Sequence, residues 1–225
     1  MSKSEISVGR TVLKNPLIAG SAEHLIEADG VRRALRAGVG AVTTQNITDP
    51  RLGPRGLDLL ALGVAAGAAC EALRRGAPRP EYRQLTLIDR NGETAVFSGQ
   101  HVLGVHAEAR GQDVVSAGNL LADPRVPQAI VTAFETTPGD LGDRIIAAMH
   151  AGLAAGGEAG PIRSAGLLIA GEVAWPIADL RVDWHEAPIT ELASLWDIWK
   201  PQMEAYVTRA LDPSAAPSYG VPGDE

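Results

Sequence analysis

The sequence predicts an α+β protein in which strands and helices come in separate runs. Three observations carry this. Apolar residues recur at three- and four-residue steps from Pro54 to Arg75, and the period then drops toward two between Tyr82 and Val115. The dipeptide Asn91-Gly92 separates QLTLID from ETAVFSG, the strongest short-range hairpin signal. Leu141, Ile145, Met149 and Leu153 then mark one helix face, and Gly156-Gly157 closes it. The resulting order, β–α–ββββ–αα–ββ–α, is clustered and not strictly alternating, which argues for stacked α+β layers over a doubly wound sheet.

Each element has its own warrant. Ile6 to Pro16 alternates and predicts one or two short strands around Gly9 and Asn15. SAEHLIEADGVRRALRAG (21–38) has a helix signature: Ser21 or Asp29 as cap, Leu25, Val31 and Leu35 as stripe, Gly38 as stop. Val39 to Thr43 predicts a strand with β-branched ends. Leu57, Leu60, Val64 and Ala68 place a helix over Pro54 to Arg75, in which Gly63 and Gly67 each cost about 1 kcal/mol. GQHVLGVHAEA and GQDVVSAG supply strands after the hairpin, and helices follow over Pro124 to Phe134 and Leu141 to Leu153. Ser164 to Ala170 and Ile177 to Val182 predict a second antiparallel pair. A final helix, Ile189 to Leu211, carries Leu192, Leu195, Trp196, Trp199, Met203, Tyr206 and Val207 on one stripe and is kinked or divided by Pro201. The tail DPSAAPSYGVPGDE is ordered only where it lies on a neighbouring surface.

The 225 residues suffice for one sizeable core. Apolar residues make up 45% and charged residues 21%, as in globular proteins generally. A net charge of −7 with no Lys or Arg run gives nucleic acid no electrostatic reason to bind. There is no 18-residue apolar run and no signal-peptide core at the N-terminus, so a cytoplasmic protein without a membrane partner is expected. Cys70 is the only cysteine, which excludes an intrachain disulfide and predicts a small buried hydrophobe.

Motifs for cofactors are missing. GVGAVT (38–43) lacks the third glycine of a dinucleotide loop, and there is no GxxxxGK[ST]. His101 and His106, five apart, would face opposite sides of a strand; Asp183, His185 and Glu186 read as a solvated strand end; His24 and His150 lack a ligand-type partner at i+4. No metal and no cofactor are expected. The residues with functional promise are polar groups at the ends of apolar strands, where rigid scaffolds assemble pockets: Thr44, Gln45, Arg83, Asn119 and Ser164.

From Arg36 onward the chain resembles domain-of-unknown-function family 1028. The resemblance is carried by RAGVGAVTTQ (36–45), DPRLGPRGLDLLALG (49–63), YRQLTLIDRNGETAVFSG (82–99), AGNLLADPRV (117–126), LGDRIIAAMHAGLAAGGE (141–158), SAGLLIA (164–170) and DLRVD (179–183). It implies an N-terminal-nucleophile (Ntn) hydrolase-like fold, a four-layer αββα sandwich. The first 35 residues are similar instead to the start of a dihydroorotate-dehydrogenase-type flavin barrel, through LKNP and Ala19, Gly20 and Ser21, which match positions near the flavin. That barrel takes about 250 residues, and nothing after Val42 continues it, so the expectation is a chimera joined at RAGVGAV. The expected division is an atypical segment 1–35, an Ntn-hydrolase-like domain 36–211 and a Pro/Gly-rich tail 212–225.

The family resemblance implies an amidohydrolase acting on a small amide. In such enzymes the first residue of the mature chain is the nucleophile, and its own α-amine, with a pKa of about 7.7–8.0, is the base. Removal of Met1 would make Ser2 that residue. Arg83 would anchor a carboxylate and Asn119 would donate to an oxyanion. The chain departs from the family's pattern at Ala117, where Gln is common before the Gly-Asn pair, and at Glu158, Gly160 and Arg163, where Asp and Arg are usual. The alternative is a non-catalytic binding or structural protein that keeps the sandwich without the nucleophile. A small-molecule ligand is the expected partner, and the aromatic last helix with its tail predicts a homodimer.

Overall fold

The computed structural model describes residues 6–8, 11–13, 17–19, 41–46 and 49–221. Ser2, His24 and the helix expected over 21–38 lie outside the described residues. Three short strands come first, β1 (Ile6–Val8), β2 (Thr11–Leu13) and β3 (Leu17–Ala19), followed by β4 (Ala41–Asn46). Two helices follow, α1 (Leu52–Ala61) and α2 (Ala66–Gly76). Four strands come next: β5 (Arg83–Ile88), β6 (Thr94–Ser98), β7 (Ala107–Gly111) and β8 (Val114–Gly118). Then come α3 (Val126–Thr136), α4 (Leu141–Ala154), β9 (Ala165–Ala170) and β10 (Pro176–Val182). The chain closes with α5 (Pro188–Trp199), a 3-10 turn at Lys200–Gln202 and α6 (Met203–Leu211). The fold is α+β, helices with small antiparallel sheets.

Every ladder is antiparallel. β4, β5 and β6 form one sheet in that order, and β10, β9 and β3 another, while β1–β2 and β7–β8 are hairpins. In the first sheet Gln45 pairs with Gln84, and Gln84 with Ser98. In the second, Ala19 pairs with Gly166, so the N-terminal segment contributes a strand to the sheet built by β9 and β10.

Among the described residues, two apolar cores hold these layers. Leu52, Leu57 and Leu60 of α1 and Ala69, Cys70 and Leu73 of α2 close over Leu85, Leu87 and Ala95 of β5 and β6. The second core gathers Val131 and Phe134 of α3, Ile145 and Ala148 of α4, and Leu192 and Trp196 of α5. These meet Ala109, Val114, Leu167, Ile169, Ala178 and Val182 of β7 to β10. Odd-numbered residues of β5 therefore face the α1/α2 layer, and Gln84, Thr86 and Ile88 face the other way, as the two-residue period of a strand requires.

The single helix expected over Pro54 to Arg75 is two helices. The reason is Gly63, at φ +82°. Its N–H donates to the Leu60 carbonyl and the Val64 N–H donates to the Leu59 carbonyl, the double closure of a Schellman stop, with Val64 and Leu59 packed on the same core. What reads as a tolerated interior glycine is the terminator of α1. The start of α2 has no side chain of its own to cap it; Asp89, 4% exposed in the β5–β6 turn, supplies the acceptor for the Ala66 N–H at 3.0 Å.

Pro201 divides the last helix as expected, and Lys200 uses the break. Its Nζ donates to Asp143 Oδ2 at 2.6 Å and lies 3.0 Å from Asp140 Oδ2, both at the start of α4. Trp196 Nε1 donates to Asp143 Oδ1 at 2.8 Å, and the Trp196 ring lies flat against Gly142, where any Cβ would collide with it. The described part of the tail folds back on α6 of its own chain: Arg209 donates to the Pro217 carbonyl at 2.6 Å and its guanidinium sits 3.5 Å from the Tyr219 ring centroid.

Candidate functional site

A polar group stands where several strands end together. Gln84 is the second residue of β5, Ser98 the last of β6, Glu108 the second of β7 and Gly118 the last of β8, so one end of the layered strands contributes all four. Gln84 is 1% exposed. Its Nε2 donates to Ser98 Oγ at 3.1 Å and to the Gly118 carbonyl at 3.4 Å, joining the β4–β5–β6 sheet to the β7–β8 hairpin. The Ser98 hydroxyl in turn donates a hydrogen bond to Glu108 Oε2 at 3.0 Å. The other arm of the Gln84 amide, Oε1, is buried and accepts no hydrogen bond among the described residues.

Asn119 follows directly on this group, half-buried. The chain turns sharply after it, with Leu120 in the left-handed region at φ +52°. The turn is braced on both sides: the Leu120 N–H donates to the Leu103 carbonyl, the Leu121 N–H to the Val105 carbonyl, and the Leu120 carbonyl accepts from the Ala159 N–H at 2.7 Å. A left-handed φ on a branched residue costs on the order of 1–3 kcal/mol and persists only where its surroundings dictate it. Asn119 is thereby held at a fixed place beside Gly118.

The structure gathers some of the sequence-derived candidates here and separates others. On β4, Gln45 is in register with Gln84, whereas Thr44 is in register with Leu85, a position of the face toward α1 and α2. Ser164 precedes β9, six residues beyond Glu158, whose short bridge to Leu121 ties this strap to the Asn119 turn. Arg83 lies on the opposite face of β5 from Gln84. Its NH2 nitrogen donates to the Pro78 carbonyl at 3.3 Å, on the α1/α2 side of the sheet. There Asp49, buried ahead of α1, accepts from Nε and Nη2 of Arg51, each at 2.8 Å. The Arg51 hydrogen bonds hold the Asp49 carboxyl down at about 2 against the opposing effect of burial, and the charge of Arg83 adds to the lowering.

Gln84, Ser98 and Glu108 are missing from the sequence-derived candidates. The one signal available was Gln84 itself, an amide inside a strand whose neighbours on both sides, Leu85 and Leu87 against Thr86 and Ile88, leave little room for polarity. Cys70 is buried as expected, and burial pushes its thiol up to about 11, so it stays protonated and inert at neutral pH. Asp183, Trp184, His185 and Glu186 are exposed, with Arg163 paired to Glu186 and stacked over the Trp184 ring. Among the described residues no group of three His, Cys, Asp or Glu side chains is placed to hold a metal ion, and no helix is long and apolar enough to cross a membrane.

Comparison with known proteins fixes the family. The model of the family of unknown function DUF1028 matches residues 19–192, well over half of the chain. The chain belongs to that family. A crystal structure of a DUF1028 protein, SPO2555 from Silicibacter pomeroyi, is 26% identical to it, with a TM-score of 0.66 over 72% of either chain. No curated protein matches. The DUF1028 match takes in Gln84, Ser98, Glu108 and Asn119, as well as Thr44, Gln45, Arg83 and Ser164. It begins at residue 19, ahead of the join expected near Arg36, and it leaves Ser2, α6 and the tail outside.

Proposed function

We propose that this DUF1028 protein is a cytoplasmic amidohydrolase for a small amide, built on a four-layer αββα sandwich of the Ntn-hydrolase type. One observation carries the reading: strands of different sheets end together around Gln84, Ser98, Glu108, Gly118 and Asn119, and a buried amide oxygen there has no donor among the described residues. The layering supports it, because α1 and α2 cover one sheet while α3, α4 and α5 cover the strands of the other core. In the proposed reaction Ser2, exposed by removal of Met1, adds through its hydroxyl oxygen to the amide carbonyl. Its α-amine takes the hydroxyl proton and returns it to the departing nitrogen, and water then releases the acid from the ester. Asn119 is the proposed oxyanion donor, with Gln45 and Ser164 lining the pocket; Thr44, in register with Leu85, stands at a position of the far face. Arg83, facing Asp49 on the far side of β5, braces the scaffold in this proposal instead of anchoring a carboxylate.

The test joins intact mass to ammonia release from a panel of small amides and ureides. Loss of Met1, turnover by the wild type and its abolition in Ser2→Ala are the expected results. Retained Met1 with no turnover would leave a binding protein on the same scaffold. Light scattering of the purified protein tests the proposed homodimer.

A further inference from the structure

We infer that Gln84 Oε1 is a receptor for the N–H of a neutral primary carboxamide or urea-type ligand; this rests on the reading of the strand ends as the functional site. The orientation of the Gln84 side chain is settled by chemistry. The Gly118 carbonyl can only accept, so the amide nitrogen must face it, and the oxygen must occupy the other arm of the planar group. That arm is buried and, among the described residues, without a donor. A buried carbonyl left unmatched is a standing loss that an arriving N–H recovers.

The remaining bonds select the kind of donor. From Gln84 Nε2 to Ser98 Oγ to Glu108 Oε2, every proton points toward the carboxylate. A chain aligned in this way polarises its members, drawing positive charge toward the Gln84 N–H and leaving Oε1 more negative than a free amide oxygen. The oxygen therefore favours donors and repels anions. Gln84 is 1% exposed, so an ammonium would be stripped of its water on arrival at a cost that a neutral N–H escapes. A primary carboxamide brings such an N–H together with a carbonyl, and Asn119, held beside Gly118 by the braced Leu120 turn, offers that carbonyl an amide donor.

The experiment follows the Gln84 side-chain amide resonances by NMR while the full-length protein is titrated with acetamide, N,N-dimethylacetamide or acetate. Acetamide should give a saturable shift of the Gln84 signals. Dimethylacetamide, which has no N–H, should bind about tenfold more weakly or worse, and acetate should leave Gln84 unmoved. Gln84→Met, read on the neighbouring Gly118 and Asn119 backbone amide resonances that also move in the wild type, should abolish the acetamide response, and Ser98→Ala, which cuts the polarising chain but spares Gln84, should weaken it several-fold. Equal responses to acetamide and dimethylacetamide, or none from either in the wild type, would overturn the inference without reliance on a variant's folding. The two readings fail separately. Acetamide-specific shifts without ammonia release from any amide would retain the receptor and remove the hydrolase, whereas turnover undiminished in Gln84→Met would retain the hydrolase and remove the receptor.

Discussion

Asp89 sits in a tight turn, yet it governs the start of a helix 23 residues upstream. Its Oδ2 accepts the Ala66 N–H at 3.0 Å, and its Oδ1 accepts the Asn91 N–H at 2.9 Å and the Glu93 N–H at 3.2 Å. Asp89→Ala removes all three hydrogen bonds. Asn91 and Glu93 are exposed, so water replaces the two turn bonds and each loss is small, about 0.5 kcal/mol. Ala66 is fully buried, and no water reaches its N–H. That donor loses a charged acceptor, which costs about 1.5–3 kcal/mol. The expected destabilisation is roughly 3 kcal/mol, a large share of the ~5–15 kcal/mol typical of a whole domain. Asp89→Asn retains one oxygen, which serves either α2 or the turn, and should cost about half as much. Urea unfolding measures both variants, with the m-value expected to stay constant. A loss below 0.5 kcal/mol in Asp89→Ala would show that α2 is not anchored through this carboxylate.

Three further outcomes follow from the described geometry. Gly142→Ala should cost about 1–3 kcal/mol, because the added methyl must displace the Trp196 ring, and tryptophan fluorescence of the folded protein should shift with it. Burial raises the Asp143 carboxyl, but the hydrogen bonds from Lys200, Trp196 and the Asp140 N–H outweigh it and leave the group below its ordinary 3.8. Its contribution to stability is thus present above that value and lost as pH falls through the folded one. Wild type should lose more of its urea midpoint between pH 5 and pH 3 than Asp143→Asn does. Cys70 should resist alkylation by iodoacetamide at pH 8 in the native protein and react readily in urea, since burial holds its thiol near 11.

Local signals proved legible wherever a local cause decides the structure. Asn91-Gly92 makes the hairpin, with Gly92 at φ +83°, and the four-residue steps from Leu141 to Leu153 make α4. Pro201 breaks the last helix where its ring must. Gly63 misleads because an interior glycine and a helix stop differ only in the residues that close around them, here Leu59 and Val64. The site was legible only in part. Asn119 is marked by its place after an apolar strand, but the Gln84–Ser98–Glu108 chain exists only because the β7–β8 hairpin lies beside β5 and β6, a pairing that no local pattern encodes. Arg83 and Gln84 are neighbours in the chain and yet strangers in space, divided by the sheet that contains both.

The interior is split, and the split has a mechanical consequence. Leu85 and Leu87 belong to one apolar mass, Val114 and Ile145 to the other, and the described side-chain bonds between β5–β6 and β7–β8 are those of Gln84, of Ser98 and of Arg110 to the Val96 carbonyl. Truncations placed one in each mass, such as Leu85→Ala with Ile145→Val, share no neighbours and should sum without interaction. The hydrogen-bonded boundary between the two masses thus passes through Gln84 and Ser98, the residues proposed to meet a ligand, so a change made there bears on both halves at once.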